Sequence, residues 1–256
     1  MPAAQQASSV DLADRLGVLA RSCAVVNQRR LSPSLIEVIL GGEAVALAGV
    51  AGNDVMVLVD DGEGSRIRRR YSVRDVDADA DTFTLWITTT HEGPATHFAQ
   101  HLSIGDQLDV VGPRGKIPLD ELADWHLFVG DVSGLGAFYR MAQSIEVPGR
   151  AIFIVELDVP DDALTASFDE GLEVTVIFVD RQGRANDDPT GLLNGLAAFA
   201  LPPDVGHAYL FGEFHVVRAL RSALLDRGLD AEHISLKAFY RVGRANGANG
   251  EPDKDL

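Results

Sequence analysis

Five arginines crowd into nine residues at Arg66-Ile67-Arg68-Arg69-Arg70-Tyr71-Ser72-Val73-Arg74. A guanidinium presents a planar fork of donors that matches phosphate or carboxylate. Tyr71 and Ser72 set an aromatic face and a hydroxyl inside the run, which suits a planar ring bearing hydrogen-bonding substituents. A second segment, His91-Glu92-Gly93-Pro94-Ala95-Thr96-His97, reads as a strand end, a tight turn and a helix start. The first turn of a helix has free N–H groups and a dipole that favours an anion. The third is Phe128-Val129-Gly130-Asp131-Val132-Ser133-Gly134-Leu135-Gly136, a strand entering a Gly-rich turn. Such a turn lets backbone approach a nucleotide pyrophosphate. It is neither GxGxxG nor a Walker A loop, which requires a lysine.

Two kinds of element must position these segments. Short β-type runs occupy 24–29, 35–40, 55–59, 70–73, 82–89 and 107–111, with Gly, Pro, Asp and Asn between them. That spacing predicts a small antiparallel barrel, with one helix over 94–102. After Asp120 the pattern changes. Apolar runs at 126–129, 151–156, 174–179, 208–211 and 234–239 alternate with helical stretches at 135–144, 161–168, 191–200 and 213–227. Continuous apolar strands alternating with helices predict a parallel sheet covered on both faces. The fold class is therefore an N-terminal antiparallel β-barrel followed by a parallel-sheet α/β domain. The expected bounds are an N-terminal extension with a helix at 1–21, the barrel at 22–120, the α/β domain at 121–243 and a disordered tail at 244–256.

Composition narrows the function. The chain has 256 residues, 22 Lys+Arg against 38 Asp+Glu, and a net charge of −16. Such a chain repels phosphate backbones and anionic surfaces, so neither nucleic acid nor membrane is expected as a partner. Cys23 is the only cysteine, which excludes an intramolecular disulfide and a thiolate metal site. The first residues lack the features of a secretory signal, and a cytoplasmic location is expected. No metal site is expected. His97 and His101 lack a clear third ligand. The acidic alternation Asp75, Asp77, Asp79, Asp81 lacks the Gly and Glu of a calcium loop, and reads as a hairpin turn.

Taken in order, Arg69-x-Tyr71-Ser72, Gly93-Pro94-Ala95-Thr96, Gly112-Pro113-Arg114-Gly115, Val129-Gly130-Asp131, Gly212-Glu213 and Phe239-Tyr240-Arg241-Val242-Gly243 resemble the siderophore-interacting proteins. These are flavin-dependent ferric-siderophore reductases of the ferredoxin-reductase superfamily. The resemblance spans about residues 22–244. It implies that Arg69, Tyr71, Ser72, Val73 and Arg74 hold FAD, and that Gly93, Pro94, Ala95 and Thr96 cradle its pyrophosphate. It also implies that Gly130, Asp131, Ser133 and Glu213 face NADPH or NADH, and that Tyr240 and Arg241 act beside the flavin ring. Where this family ends its last strand in Gly-Tyr-Trp-Arg, this chain has Ala238-Phe239-Tyr240-Arg241.

The implied activity is reduction of a ferric siderophore by NAD(P)H through FAD. Fe(III) takes one electron and a hydride carries two, a mismatch that a flavin bridges. Arg68, Arg70, Arg114 and Lys116 are the cations expected to attract an anionic ferric chelate. In Val179-Asp180-Arg181-Gln182-Gly183-Arg184, Arg181 and Arg184 suit a 2′-phosphate and Asp180 a 2′-hydroxyl, with the balance towards NADPH. Two alternatives stand beside this reading. One is a flavin reductase exchanging electrons with a protein partner such as ferredoxin. The other is a non-catalytic siderophore- or nucleotide-binding module.

Overall fold

The structure, a computed structural model, describes residues 9–60, 66–90, 93–115 and 117–243. Lys116 and the expected tail at 244–256 lie outside them. The chain divides into two compact units, Met1–Pro118 and Leu119–Leu256.

The first unit is a closed six-stranded antiparallel barrel. Its strands are β1 (Leu19–Ser32), β2 (Leu35–Gly41), β3 (Asp54–Asp60), β4 (Arg66–Asp77), β5 (Thr82–Thr88) and β6 (Gln107–Arg114), in the order β1-β2-β5-β4-β3-β6. Each of the six β-type runs falls on one of them. Inward residues alternate as the period of two requires: Phe83, Leu85 and Ile87 of β5 are buried and their neighbours less so. The long β1 pairs with β6 through its first half and with β2 through its second, and the register shifts near Val25–Asn27. A bulge there lets one strand bend between two partners.

Helix α1 (Ser9–Leu16) lays Leu12 and Ala13 on Met56, Leu58 and Val111, on the outside of the barrel. The apolar spacing predicted helix as far as Arg21, and the structure ends it earlier. Gly17 has φ 65°, with Gly17 N–H on Asp14 C=O and Val18 N–H on Ala13 C=O. That pair of bonds is a Schellman stop. β1 then begins at Leu19, inside the stretch expected to precede the barrel.

A short helix, α2 (Val45–Ala48), was not anticipated; it buries Leu47 and Ala48 in the barrel core. The β4–β5 turn supports it, since the Asp81 carboxylate accepts the Glu43 and Val45 N–H groups. Asp77 in turn accepts the N–H groups of Asp79 and Ala80. The acidic alternation is thus a hairpin turn that also anchors α2. Helix α3 (Pro94–His101) follows β5. Cys23 is buried in the core, and burial pushes its thiol up to about 11.

The second unit is a parallel sheet of β7 (Trp125–Asp131), β8 (Gly149–Leu157), β9 (Leu172–Asp180), β10 (Gly206–Glu213) and β11 (Ile234–Tyr240), in the order β11-β10-β7-β8-β9. Every residue of β7 and β10 is buried, as expected of central strands covered on both faces. One face packs Leu127, Val129, Ile154 and Leu210 against α5 (Thr190–Ala198) and α6 (Phe214–Asp226). The other is aromatic: Phe128 meets Phe138 of α4 (Leu135–Ala142), Phe153 and Tyr209 at centroid distances of 5.1–5.5 Å.

The helix expected over 161–168 is absent. Only a 3-10 turn at Pro160–Asp162 forms. Beyond it, Leu164 C=O accepts the Tyr139 hydroxyl and Ser167 C=O accepts Gln143 Nε2. Tyr139 of α4 thereby takes the one of these carbonyls, Leu164, that a helix over 161–168 would have used. Among the described residues no helix is long and apolar enough to cross a membrane.

Candidate functional site

In the first unit, β4 and α3 carry the residues expected to hold a flavin. Arg69 is half-buried and donates Nη1 to the Arg68 carbonyl at 3.0 Å; burial lowers its pKa. Tyr71 rests on the barrel core, and its hydroxyl is buried with no hydrogen-bond partner among the described residues. Burial also pushes that phenol up, so Oη keeps its proton. A sequestered hydroxyl without a partner costs about 1–3 kcal/mol. A bound molecule that accepts from it removes that cost.

Ser72 is partly buried and lies opposite Asp54 in the β3–β4 register. Val73 is 1% exposed and serves the barrel core. Arg74 is drawn into the barrel wall, with Cζ 5.0 Å above the Trp86 ring. The indole Nε1 donates to Glu37, which also pairs with Arg29.

Gly93 precedes α3 with φ 151°, a conformation that L side chains rarely adopt, and a Cβ there would meet open space. Pro94 takes the first helical position, where a missing N–H costs nothing. Among the described residues no side chain caps this end. An orphaned buried hydroxyl on β4 and an uncapped, Gly-led helix start on α3 fit a ligand with a planar ring and a phosphate group.

The surplus cations are less available than their number implied. Arg70 makes a two-point ion pair with Asp54, at 2.6 and 3.2 Å, and Asp54 is 1% exposed. Arg70 is therefore half-buried and held by Asp54 rather than standing as an unpaired cation. Arg66 pairs with Asp109 at 2.8 Å. Arg114 places Nη1 3.1 Å from the Met56 sulfur. Arg68 is exposed.

In the second unit the expected residues gather at the carboxyl edge of the sheet. The strand order reverses between β7 and β10, the switch point at which open α/β sheets bind ligands. Gly130 is required there: a Cβ would lie 1.9 Å from the Phe211 carbonyl oxygen. Asp131 is the hub. Its Oδ1 accepts Ser133 N–H at 2.8 Å and the Ser133 hydroxyl, and its Oδ2 accepts the Tyr240 hydroxyl at 2.8 Å. Burial and the Asp131 charge raise the Tyr240 phenol well above its ordinary range. Arg241 lies 4.6 Å over the Phe214 ring.

Two residues expected to bind coenzyme are committed elsewhere. Glu213 is fully buried, caps α6 by accepting His215 and Val216 N–H, and holds Val242 N–H. Arg181 is 6% exposed and lies between Asp158 Oδ1 at 2.7 Å and Glu156 Oε2 at 3.0 Å. Sequence reasoning missed Glu156 and Asp158. The available signal was an acid about 20 residues past a Gly-rich turn.

Residues 123–243 match the model described as siderophore-interacting protein. Residues 56–117 match the siderophore-interacting FAD-binding domain, and FAD is the cofactor. An uncharacterized protein of Mycobacterium tuberculosis is 31% identical over 189 residues, covering 69% of this chain and 65% of its own length. Ferric vibriobactin reductase of Vibrio cholerae is 28% identical over 113 residues, 44% of this chain and 42% of that protein. The chain therefore spans less than two thirds of these relatives. Among solved structures, a siderophore utilization protein from T. fusca is 25% identical with a TM-score of 0.77, covering 90% of this chain and 95% of that one. On the two matched domains, their order and this fold, the chain belongs to the siderophore-interacting protein family.

Proposed function

We propose that this protein is an FAD-dependent reductase that takes a hydride from NAD(P)H and reduces ferric siderophore, releasing Fe(II) for intracellular iron assimilation. The observation that carries the reading is the buried, partnerless Tyr71 hydroxyl within the FAD-binding segment. In the balanced reaction one NAD(P)H and two Fe(III) give NAD(P)+, one proton and two Fe(II). Bound FAD supplies the conversion between a two-electron donor and a one-electron acceptor.

The chain's own residues bind and orient. Arg69, Tyr71 and Ser72 would hold the flavin, and Tyr71 Oη, kept protonated by burial, would donate a hydrogen bond to it. The start of α3, at Gly93, Ala95 and Thr96, takes the pyrophosphate on backbone N–H groups. Gly130 allows close backbone approach for the nicotinamide nucleotide, and Asp131 holds Ser133 and Tyr240 in position around it. Exposed Arg68 remains as an attractant for an anionic chelate. Fe(II) binds hard anionic oxygens more weakly than Fe(III), so reduction loosens the chelate.

The test loads the protein with FAD, removes free flavin and works without oxygen. NADH or NADPH is added and the flavin band followed; a ferric chelate is then added with a ferrous trap. Bleaching, followed by two Fe(II) trapped per nucleotide consumed, supports the reading. A flavin that neither nucleotide bleaches, but reduced ferredoxin does, overturns NAD(P)H as the donor. A flavin that bleaches and then yields no Fe(II) overturns the substrate.

A further inference from the structure

We propose that Glu156, Asp158 and Asp180, which surround Arg181 and Arg184 at the carboxyl ends of β8 and β9, make this protein take NADH and reject NADPH. The inference rests on the NAD(P)H-dependent reading above and sharpens it, and it reverses the balance towards NADPH drawn from weighing Arg181 and Arg184 against Asp180.

Position comes first. In doubly wound sheets an acid about 20 residues past the Gly-rich turn, at the end of the next strand, takes the ribose hydroxyls. Glu156 stands at that place. It lies opposite Asp131 in the β7–β8 register, and Asp180 lies opposite the next residue, Leu157, on β9. Asp131, Glu156 and Asp180 therefore step across one sheet edge.

Charge comes second. Arg181 Nε lies 2.7 Å from Asp158 Oδ1 and its Nη1 3.0 Å from Glu156 Oε2. Arg184 Nη2 lies 3.0 Å from Glu156 Oε1 and 2.7 Å from the Asp180 carbonyl. The two cations are thus held by the carboxylates of Glu156 and Asp158, while the Asp180 carboxylate stays outside these pairs. Burial works against the Arg181 charge, and Asp158 and Glu156 outweigh it and hold the guanidinium charged. A 2′-phosphate would bring roughly −1.5 to −2 further charges. To reach Arg181 it would have to displace the buried Glu156 carboxylate and the part-buried Asp158 one and leave them unpaired, which is costly.

Access comes third. Arg181 is 6% exposed, and Arg184 is part-buried against Glu156. The exposed group is Asp180. One of its oxygens accepts Gln182 N–H at 2.9 Å, in a turn where Gln182 and Gly183 take φ 53° and 73°. A carboxylate can accept from a ribose 2′-hydroxyl, and it repels a phosphate.

Calorimetric titration of the FAD-loaded protein with NAD+ and NADP+ reads this without turnover. NAD+ is expected to bind at least about tenfold more tightly. Asp180→Ser leaves both arginine pairs intact and is expected to narrow the ratio to about threefold or less. Equal binding, tighter NADP+ binding, or a ratio unmoved by Asp180→Ser overturns the inference. If NADPH bleaches the flavin as readily as NADH, the inference fails and the reductase reading stands. If neither nucleotide binds or bleaches, the donor in that reading fails as well.

Discussion

Tyr71→Phe removes one oxygen from β4 and changes nothing else in its packing. That oxygen is buried, carries a proton that burial makes hard to lose, and has no partner. In the flavin-free protein it is a net cost of about 1–3 kcal/mol. Its removal is therefore expected to stabilise the flavin-free state by about 1 kcal/mol, less a small loss of packing. The flavin-bound state moves the other way. An intermolecular hydrogen bond is worth about 0.5–1.5 kcal/mol net; added to the gain of about 1 kcal/mol in the flavin-free state, its loss is expected to raise the FAD dissociation constant about ten- to seventyfold. One substitution thus gives two effects of opposite sign. Urea unfolding of the flavin-free protein reads the first, and quenching of flavin fluorescence on titration reads the second. A variant that is less stable without flavin and binds FAD as tightly as the parent would refute the argument. It would mean that Tyr71 Oη finds its partner within the barrel.

Arg70→Met leaves Asp54 as a buried carboxylate without its cation. Unfolding free energy is expected to fall by about 3 kcal/mol, read by urea denaturation; an unchanged midpoint means Asp54 has other support. Gly130→Ala forces a methyl against the Phe211 carbonyl. It is expected to cost about 3 kcal/mol or prevent accumulation of folded protein, checked by circular dichroism. His126 is 2% exposed, and burial, with the nearby His207, pushes its pKa down to about 4, against the Asp120 charge. The folded protein thus holds the ring neutral while the unfolded chain takes up a proton near pH 6.5. Its contribution is complete above about 6.5 and is lost as pH falls towards 4, about 2 kcal/mol of it by pH 5. The loss of stability between pH 7 and pH 5 should shrink by that amount in His126→Phe, and an unaltered pH slope would assign it to other groups.

The fold was legible where side-chain pattern and backbone demand coincide. Alternating apolar residues such as Phe83, Leu85 and Ile87 mark a strand with one buried face. The fully apolar stretch around Leu127–Val129 marks a strand buried on both. Legibility ended where a distant group decided a local conformation. Residues 161–168 have a helix-like apolar spacing, but the Tyr139 hydroxyl of α4 claims the Leu164 carbonyl. The site divides in the same way. The chemical types in Arg69-x-Tyr71-Ser72 and Gly130-Asp131 were visible because neighbouring residues make the pattern. The fate of each cation was not, since Arg70 finds Asp54 across β3 and Arg181 finds Glu156 and Asp158 across β8. Abundance of arginine was therefore a poor guide to available positive charge.

The two seams of β1 have a consequence for the chain as it is made. Its second half folds back on β2 at once, because Arg30 and Ile36 are near in sequence. Its first half pairs with β6, Leu19 against Gly112 and Ala24 against Gln107, so that seam cannot form until the last strand of the unit has been synthesised. At roughly 5–20 residues per second, translation leaves that edge unpaired for several seconds. Throughout that interval the nascent barrel is an open sheet, with a row of free N–H and C=O groups available to any other strand. The hazard is one of timing rather than of native stability. Slowing translation between β5 and β6 should lengthen the vulnerable interval and lower soluble yield, although the finished protein would be the same.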